Sequence, residues 1–128
     1  MTPASPATTR YPGHTVSRNT GLLIAAEAVA FTLASTTHFI IGFTGAAIPE
    51  LVIAALLALA SAAVLFRHPR SWGIAVAATT VATLGTALGL TIIATRRQDV
   101  PDLAFHTAAL AALAATLIIL SRARGRHR

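Results

Sequence analysis

Five residues carry most of the chemistry this chain can do: Glu27, His38, Glu50, Asp102 and His106. Imidazoles and carboxylates gathered in one place suit two kinds of work. They ligate divalent metals such as Zn, Fe, Mn or Cu. They also move protons, with a histidine as base and a glutamate as acid. Glu27 and His38 are eleven residues apart, close to three helical turns. One helix would hold both on one face, about 16 Å apart along its axis. Asp102 and His106 form an i,i+4 pair, in which the carboxylate orients the imidazole. Glu50 and Asp102 each follow a proline, Pro49 and Pro101, so both read as openings of helices, where the dipole also favours a carboxylate for purely structural reasons.

The elements that position these groups are four apolar stretches, over residues 21–43, 48–66, 72–95 and 102–120. Each is near the ~20 residues that a helix needs to cross a hydrocarbon core of about 30 Å. Only 11% of the residues are charged and 55% are hydrophobic, whereas a soluble domain is about 25% charged. None of the stretches has the polar face of a soluble bundle helix. The expected fold is all-α: a four-helix transmembrane bundle, antiparallel and up-down, in one domain. The first stretch is too long for a signal-peptide core and contains Glu27, so it reads as a retained helix. An ionisable residue inside a membrane is a functional candidate by default. Cysteine is absent, which excludes disulfides, thiolate metal sites and thiol catalysis.

The net charge of +6 lies almost wholly outside the stretches. Arg10 and Arg18 precede the first, Arg67 and Arg70 follow the second, and Arg122, Arg124, Arg126 and Arg128 end the chain. With four spans these segments share one side. The other side has Arg96 and Arg97, offset by Asp99 and Asp102. The positive-inside rule then puts both termini in the cytoplasm. All the basic residues are Arg, and Ala is abundant, which reads as the codon bias of a GC-rich genome rather than as function; the expected location is the bacterial cytoplasmic membrane, as a multi-pass protein. The basic tail, residues 122–128, reads as a topology signal resting on anionic lipid rather than as a nucleic-acid site. Residues 1–18 are rich in Pro, Thr and Ser and read as a disordered cytoplasmic tail.

Local signals refine the elements. Asn19 or Thr20 can cap the first helix, Gly42 and Gly45 loosen the first loop, and Pro49 suits the first turn of the second helix. Trp72 reads as an interfacial anchor. Pro101 opens the fourth helix, with Asp99 or Asp102 meeting its free amides. Ala78, Ala82, Gly85 and Gly89 line one face of the third helix, and Ala54, Ala58, Ser61 and Ala62 line the second. Small residues let backbones approach, as membrane packing requires. Thr79, Thr83 and Thr86 form a polar stripe whose hydroxyls can bond their own helix.

With the assigned topology, His38, Glu50, Asp102 and His106 reach a similar depth near the outer side, and Glu27 lies in the cytoplasmic half. This pattern resembles a family of small, functionally uncharacterised bacterial four-span membrane proteins. Members carry a Glu then a His in helix 1, a Glu opening helix 2, a His and a Gly pair in helix 3, and an aromatic-His pair opening helix 4. The matching residues are Glu27, His38, Glu50, Gly85, Gly89 and Phe105-His106, and Thr79 stands where the third helix would carry its His. The resemblance implies a shared intramembrane polar site, with Thr79 among its ligand-contacting positions, and no particular activity.

Four functions compete. The site holds a metal through His38, Glu50 and His106, or a b-type haem between His38 and His106 with Arg96 or Arg97 on its propionates. It is an acid–base enzyme for a lipophilic substrate (a terpenoid, quinone or lipid), using His38, His106, Glu50 and Glu27, with Asp102 orienting His106. It is a proton-coupled exporter, as in the small multidrug-resistance transporters, with Glu27 on a water-filled cavity in a homodimer. Or it is an accessory subunit in which His38 and His106 are replaceable.

Overall fold

The computed structural model describes residues 16–96 and 100–125. They form four helices, α1 (Arg18–Ile40), α2 (Thr44–Leu65), α3 (Ser71–Arg96) and α4 (Val100–Gly125). All four are long and apolar enough to cross a membrane. Short connections make successive helices antiparallel. Each helix packs on its neighbours in chain order, and the ring closes between α4 and α1, the pair that touches least. The core runs up the axis through Ile24, Phe31, Leu57, Ala75, Ala82 and Leu113, all nearly or wholly buried. Large apolar side chains such as Leu33, Leu59, Leu84 and Ile118 point outward, a surface suited to lipid tails and unsuited to water.

The helix ends differ from the sequence expectation in instructive ways. Ser17, not Asn19 or Thr20, caps α1, and its Oγ accepts the Thr20 amide at 3.2 Å. Residues 17 and 18 thus belong to the helix and its cap, and Val16 packs against the core; the rest of the expected tail, residues 1–15, lies outside the described residues. At the other end, Gly42 takes φ +79. The Phe43 amide then reaches back to the His38 carbonyl at 2.8 Å, closing α1 as glycine C-termini do. The turn is so tight that α2 starts at once, at Thr44. Gly45 and Pro49 are therefore inside the helix, not in the loop or its first turn. A proline there removes one ladder bond and costs about 3 kcal/mol in an ordinary helix interior. Arg67 closes α2 in the left-handed region at φ 55. It does so without the glycine that usually fills this position.

Two contacts fix the register at the arginine-bearing end. A Cβ on Gly21 would lie 2.9 Å from Val64 Cγ1, so α1 and α2 nearly touch there, and Ser61 Oγ donates to the Gly21 carbonyl at 2.9 Å. Trp72 Nε1–H donates to the Leu120 carbonyl at 3.0 Å, and the Arg124 guanidinium lies 4.9 Å from the Trp72 ring. The expected interfacial anchor thus also ties α3 to α4. The fourth helix continues through Arg122 and Arg124, past the expected boundary at 120. Arginine is a good helix former, and no breaker precedes Gly125.

Candidate metal centre

At the end of the bundle opposite Ser61 and Trp72, three helices bring their polar groups together. His38 comes from the last turn of α1, Glu50 from the second turn of α2, and Asp102 and His106 from the start of α4. His38 Nδ1–H donates to Glu50 Oε2 at 2.7 Å. His106 Nδ1 lies 3.0 Å from the Asp102 carbonyl and 3.1 Å from Asp102 Oδ1. Both are acceptors, so Nδ1 carries the proton and Nε2 presents its lone pair to the interior. Two longer gaps close the circuit. His106 Nε2 is 3.8 Å from Glu50 Oε1, and His38 Nε2 is 3.7 Å from Asp102 Oδ1. Imidazole and carboxylate therefore alternate around a four-membered ring.

The two gaps are too wide for hydrogen bonds, and one of the four atoms that face them lacks any partner. Glu50 Oε1 is buried and has no hydrogen bond among the described residues. Four metal bonds of about 2.0 Å in a tetrahedron separate their donors by about 3.3 Å, so a shift of a few tenths of an ångström would bring either gap to that spacing. One ligand atom each from His38, Glu50 and Asp102 lies within 4.8 Å of the others. This compact set includes Asp102, which the sequence suggested only as an orienting group, in place of His106, which stands beside it. The Glu50–His38 bond has the form of a carboxylate–histidine–metal arrangement, in which the outer carboxylate fixes the ring and its tautomer.

Neighbouring residues hold the rings. Phe43, placed by the Gly42 turn, meets the His38 ring edge-on at 5.6 Å. Phe105 meets His106 at 5.3 Å and Phe31 at 5.6 Å. Gly89 of α3 lies so close that a Cβ would sit 3.3 Å from His106 Nε2. Its role is to leave room for the imidazole, which composition alone could not distinguish from helix packing. Glu50 is the seventh residue of α2, beyond the first turn where a helix dipole acts, so the structural explanation for its charge loses force.

Two cavities flank the ring. A groove of about 910 Å³ between α1 and α4 has apolar walls, including Leu33, Ile41 and Phe105, with His38 and Asp102 at its polar end. A pocket of about 370 Å³ on the other side reaches Glu50 and His106 past Phe31, Ile53 and Gly89.

The other expected site residues lie elsewhere. Glu27 and Thr79 line neither cavity; Glu27 accepts a bond from Thr116 at 2.7 Å. Arg97, Asp99 and the Arg96 side chain lie outside the described residues. The arrangement does not fit a bis-histidine haem: His38 Nε2 and His106 Nε2 face the carboxylates of Asp102 and Glu50 at 3.7 and 3.8 Å, which leaves no room for a macrocycle against either nitrogen. No family model, no curated protein and no solved structure matches this chain.

Proposed function

We propose that this chain is a small integral membrane protein whose outer-end ring of His38, Glu50, Asp102 and His106 binds a divalent transition metal. The observation that carries the proposal is the convergence of His38, Glu50 and Asp102 ligand atoms within 4.8 Å from three different helices. Mixed imidazole and carboxylate donors suit Zn, Fe or Mn, and the absence of sulfur argues against a soft-metal site. The arginines Arg18, Arg67, Arg70, Arg122 and Arg124 lie at the opposite end. By the positive-inside rule that end faces the cytoplasm of a bacterium and the metal faces outward. When bound, the metal would act as a Lewis acid or lower the pKa of a bound water. The residues themselves orient ligands and hold protons: Glu50 fixes His38, and the Asp102 carbonyl fixes His106.

The test is metal analysis and an absorption spectrum of protein purified in mild detergent, followed by titration with Co²⁺ as a coloured probe. One metal per chain, with d–d bands lost in His38→Ala and Asp102→Ala, is the expected result. Protein that purifies without metal and takes up no Co²⁺ would overturn the proposal, as would retention of metal in both variants.

One observation favours a second reading. The 910 Å³ groove has apolar walls and ends on His38 and Asp102, so the same groups suit acid–base chemistry on a lipophilic substrate entering from the bilayer. A metal-free protein that is still inhibited by His38→Ala in a lipid-turnover assay would favour that reading.

A further inference from the structure

A second polar layer lies deeper in the bundle, and none of its members belongs to the outer ring. Glu27 is eleven residues from His38 on α1, Thr116 is ten from His106 on α4, and Thr79 is ten from Gly89 on α3. With His106 against Gly89, all three fall about 15 Å below the ring, at one depth. All are buried: Glu27 is 7% exposed, Thr79 and Thr116 0%.

The hydrogen bonds within this layer are incomplete. Thr116 donates to Glu27 Oε1 at 2.7 Å, but Glu27 Oε2 has no partner among the described residues. Neither has Thr79 Oγ1. Thr79 is unusual in this. Thr32, Thr36, Thr83, Thr86 and Thr107 all return their hydroxyls to the carbonyl four residues back. Thr79 does not, and its own carbonyl serves Thr83. Each orphaned atom is costly in a dry core, since it has lost its water and gained no partner. A buried carboxylate also needs a positive partner or a proton. Among the described residues no Arg or His pairs with Glu27.

We infer that Glu27, Thr79 and Thr116 form an inner site for a monovalent hard cation, with Na⁺ as its test ion. Such a cation meets all three needs at once: it supplies the missing charge, and it takes lone pairs from both Glu27 Oε2 and Thr79 Oγ1. A bridging water would meet the polar needs and not the charge. A proton on Glu27 would meet the charge and leave Thr79 unexplained. The donors here are oxygen only, which selects a hard ion and separates this site from the outer ring with its imidazoles. The inference does not rest on the outer ring holding a metal.

The experiment is thermal unfolding of the full chain in detergent, in NaCl against choline chloride at equal ionic strength. The expected result is a Na⁺-specific rise in Tm, on the order of 10 °C at a hundredfold excess over Kd. It should vanish in Glu27→Gln and shrink in Thr79→Val, yet persist in His38→Ala. No difference between the two salts overturns the inference, and so does a rise that survives Glu27→Gln. A measurement on the native chain covers the case in which the variants fail to fold. Na⁺ should protect Glu27 from a lipophilic carbodiimide, which modifies protonated carboxyls. Modification at an unchanged rate in Na⁺ would identify a proton as the occupant and overturn the inference.

Discussion

Glu50→Gln separates the metal site from the fold. Glutamine has the shape of glutamate, so the core does not collapse around a void. Its amide oxygen can replace Oε2 as acceptor for His38 Nδ1–H, now 2.7 Å away. The amide nitrogen then occupies the place of Oε1, 3.8 Å from His106 Nε2, where it offers a donor to a lone pair and nothing to a metal. The ordering bond drops from charge-assisted to neutral, a loss of about 1 kcal/mol. Relief from burying a charge offsets part of that. Stability should therefore change by no more than about 1 kcal/mol, while metal affinity falls at least ~100-fold. Losing an orienting carboxylate alone costs about 10–100-fold, and a ligand is lost with it. A hundredfold is about 2.7 kcal/mol. The assay is Co²⁺ titration alongside thermal unfolding without metal. Glu50→Gln with native affinity refutes the reasoning. Equal losses of affinity and stability would also refute it, since Glu50 would then be a structural group. Glu50→Ala is the useful contrast, because it leaves His38 Nδ1 unpaired and should cost about 2–3 kcal/mol of stability as well.

Gly89→Ala should put a methyl 3.3 Å from His106 Nε2 and weaken Co²⁺ binding about tenfold, with little loss of helicity by circular dichroism. Gly42→Val forces a branched residue to φ +79 and should lower stability by at least ~1 kcal/mol in detergent unfolding, while displacing Phe43 from His38 and weakening Co²⁺ uptake. Ser61→Ala deletes one interhelical bond and should cost only about 0.6 kcal/mol, by the scale of such bonds in membranes. Gly21→Leu pushes against Val64 at 2.9 Å and should be far more disruptive, lowering yield and Tm together.

The sequence made the four helices legible because length and hydropathy suffice for a membrane span, and the shared depth of His38, Glu50, Asp102 and His106 followed from helix rise. Other features were hidden because they depend on how helices rotate and meet. No pattern in one helix shows that Asp102 Oδ1 points at His38, 64 positions earlier in the chain. Gly89 read as a packing residue because its neighbour, His106, is on another helix. Thr79 stood in a stripe of three like residues, and only the structure separates it from Thr83 and Thr86, which bond their own backbone. The early start of α2 was missed because Pro49 signals a first turn, while the sharp reversal at Gly42 leaves no room for a longer loop.

The seam between α1 and α4 joins the first of the four described helices with the last. The His38–Glu50 bond joins α1 to α2 without any group from α4, whereas His38 Nε2 and Glu50 Oε1 face groups that only α4 supplies. Asp102 and His106 arrive together at the head of α4 and complete both gaps in one docking step. A chain cut short after α3 would expose two buried-type polar groups to lipid and could not close the ring. The polar circuit therefore closes only when all four helices have come together.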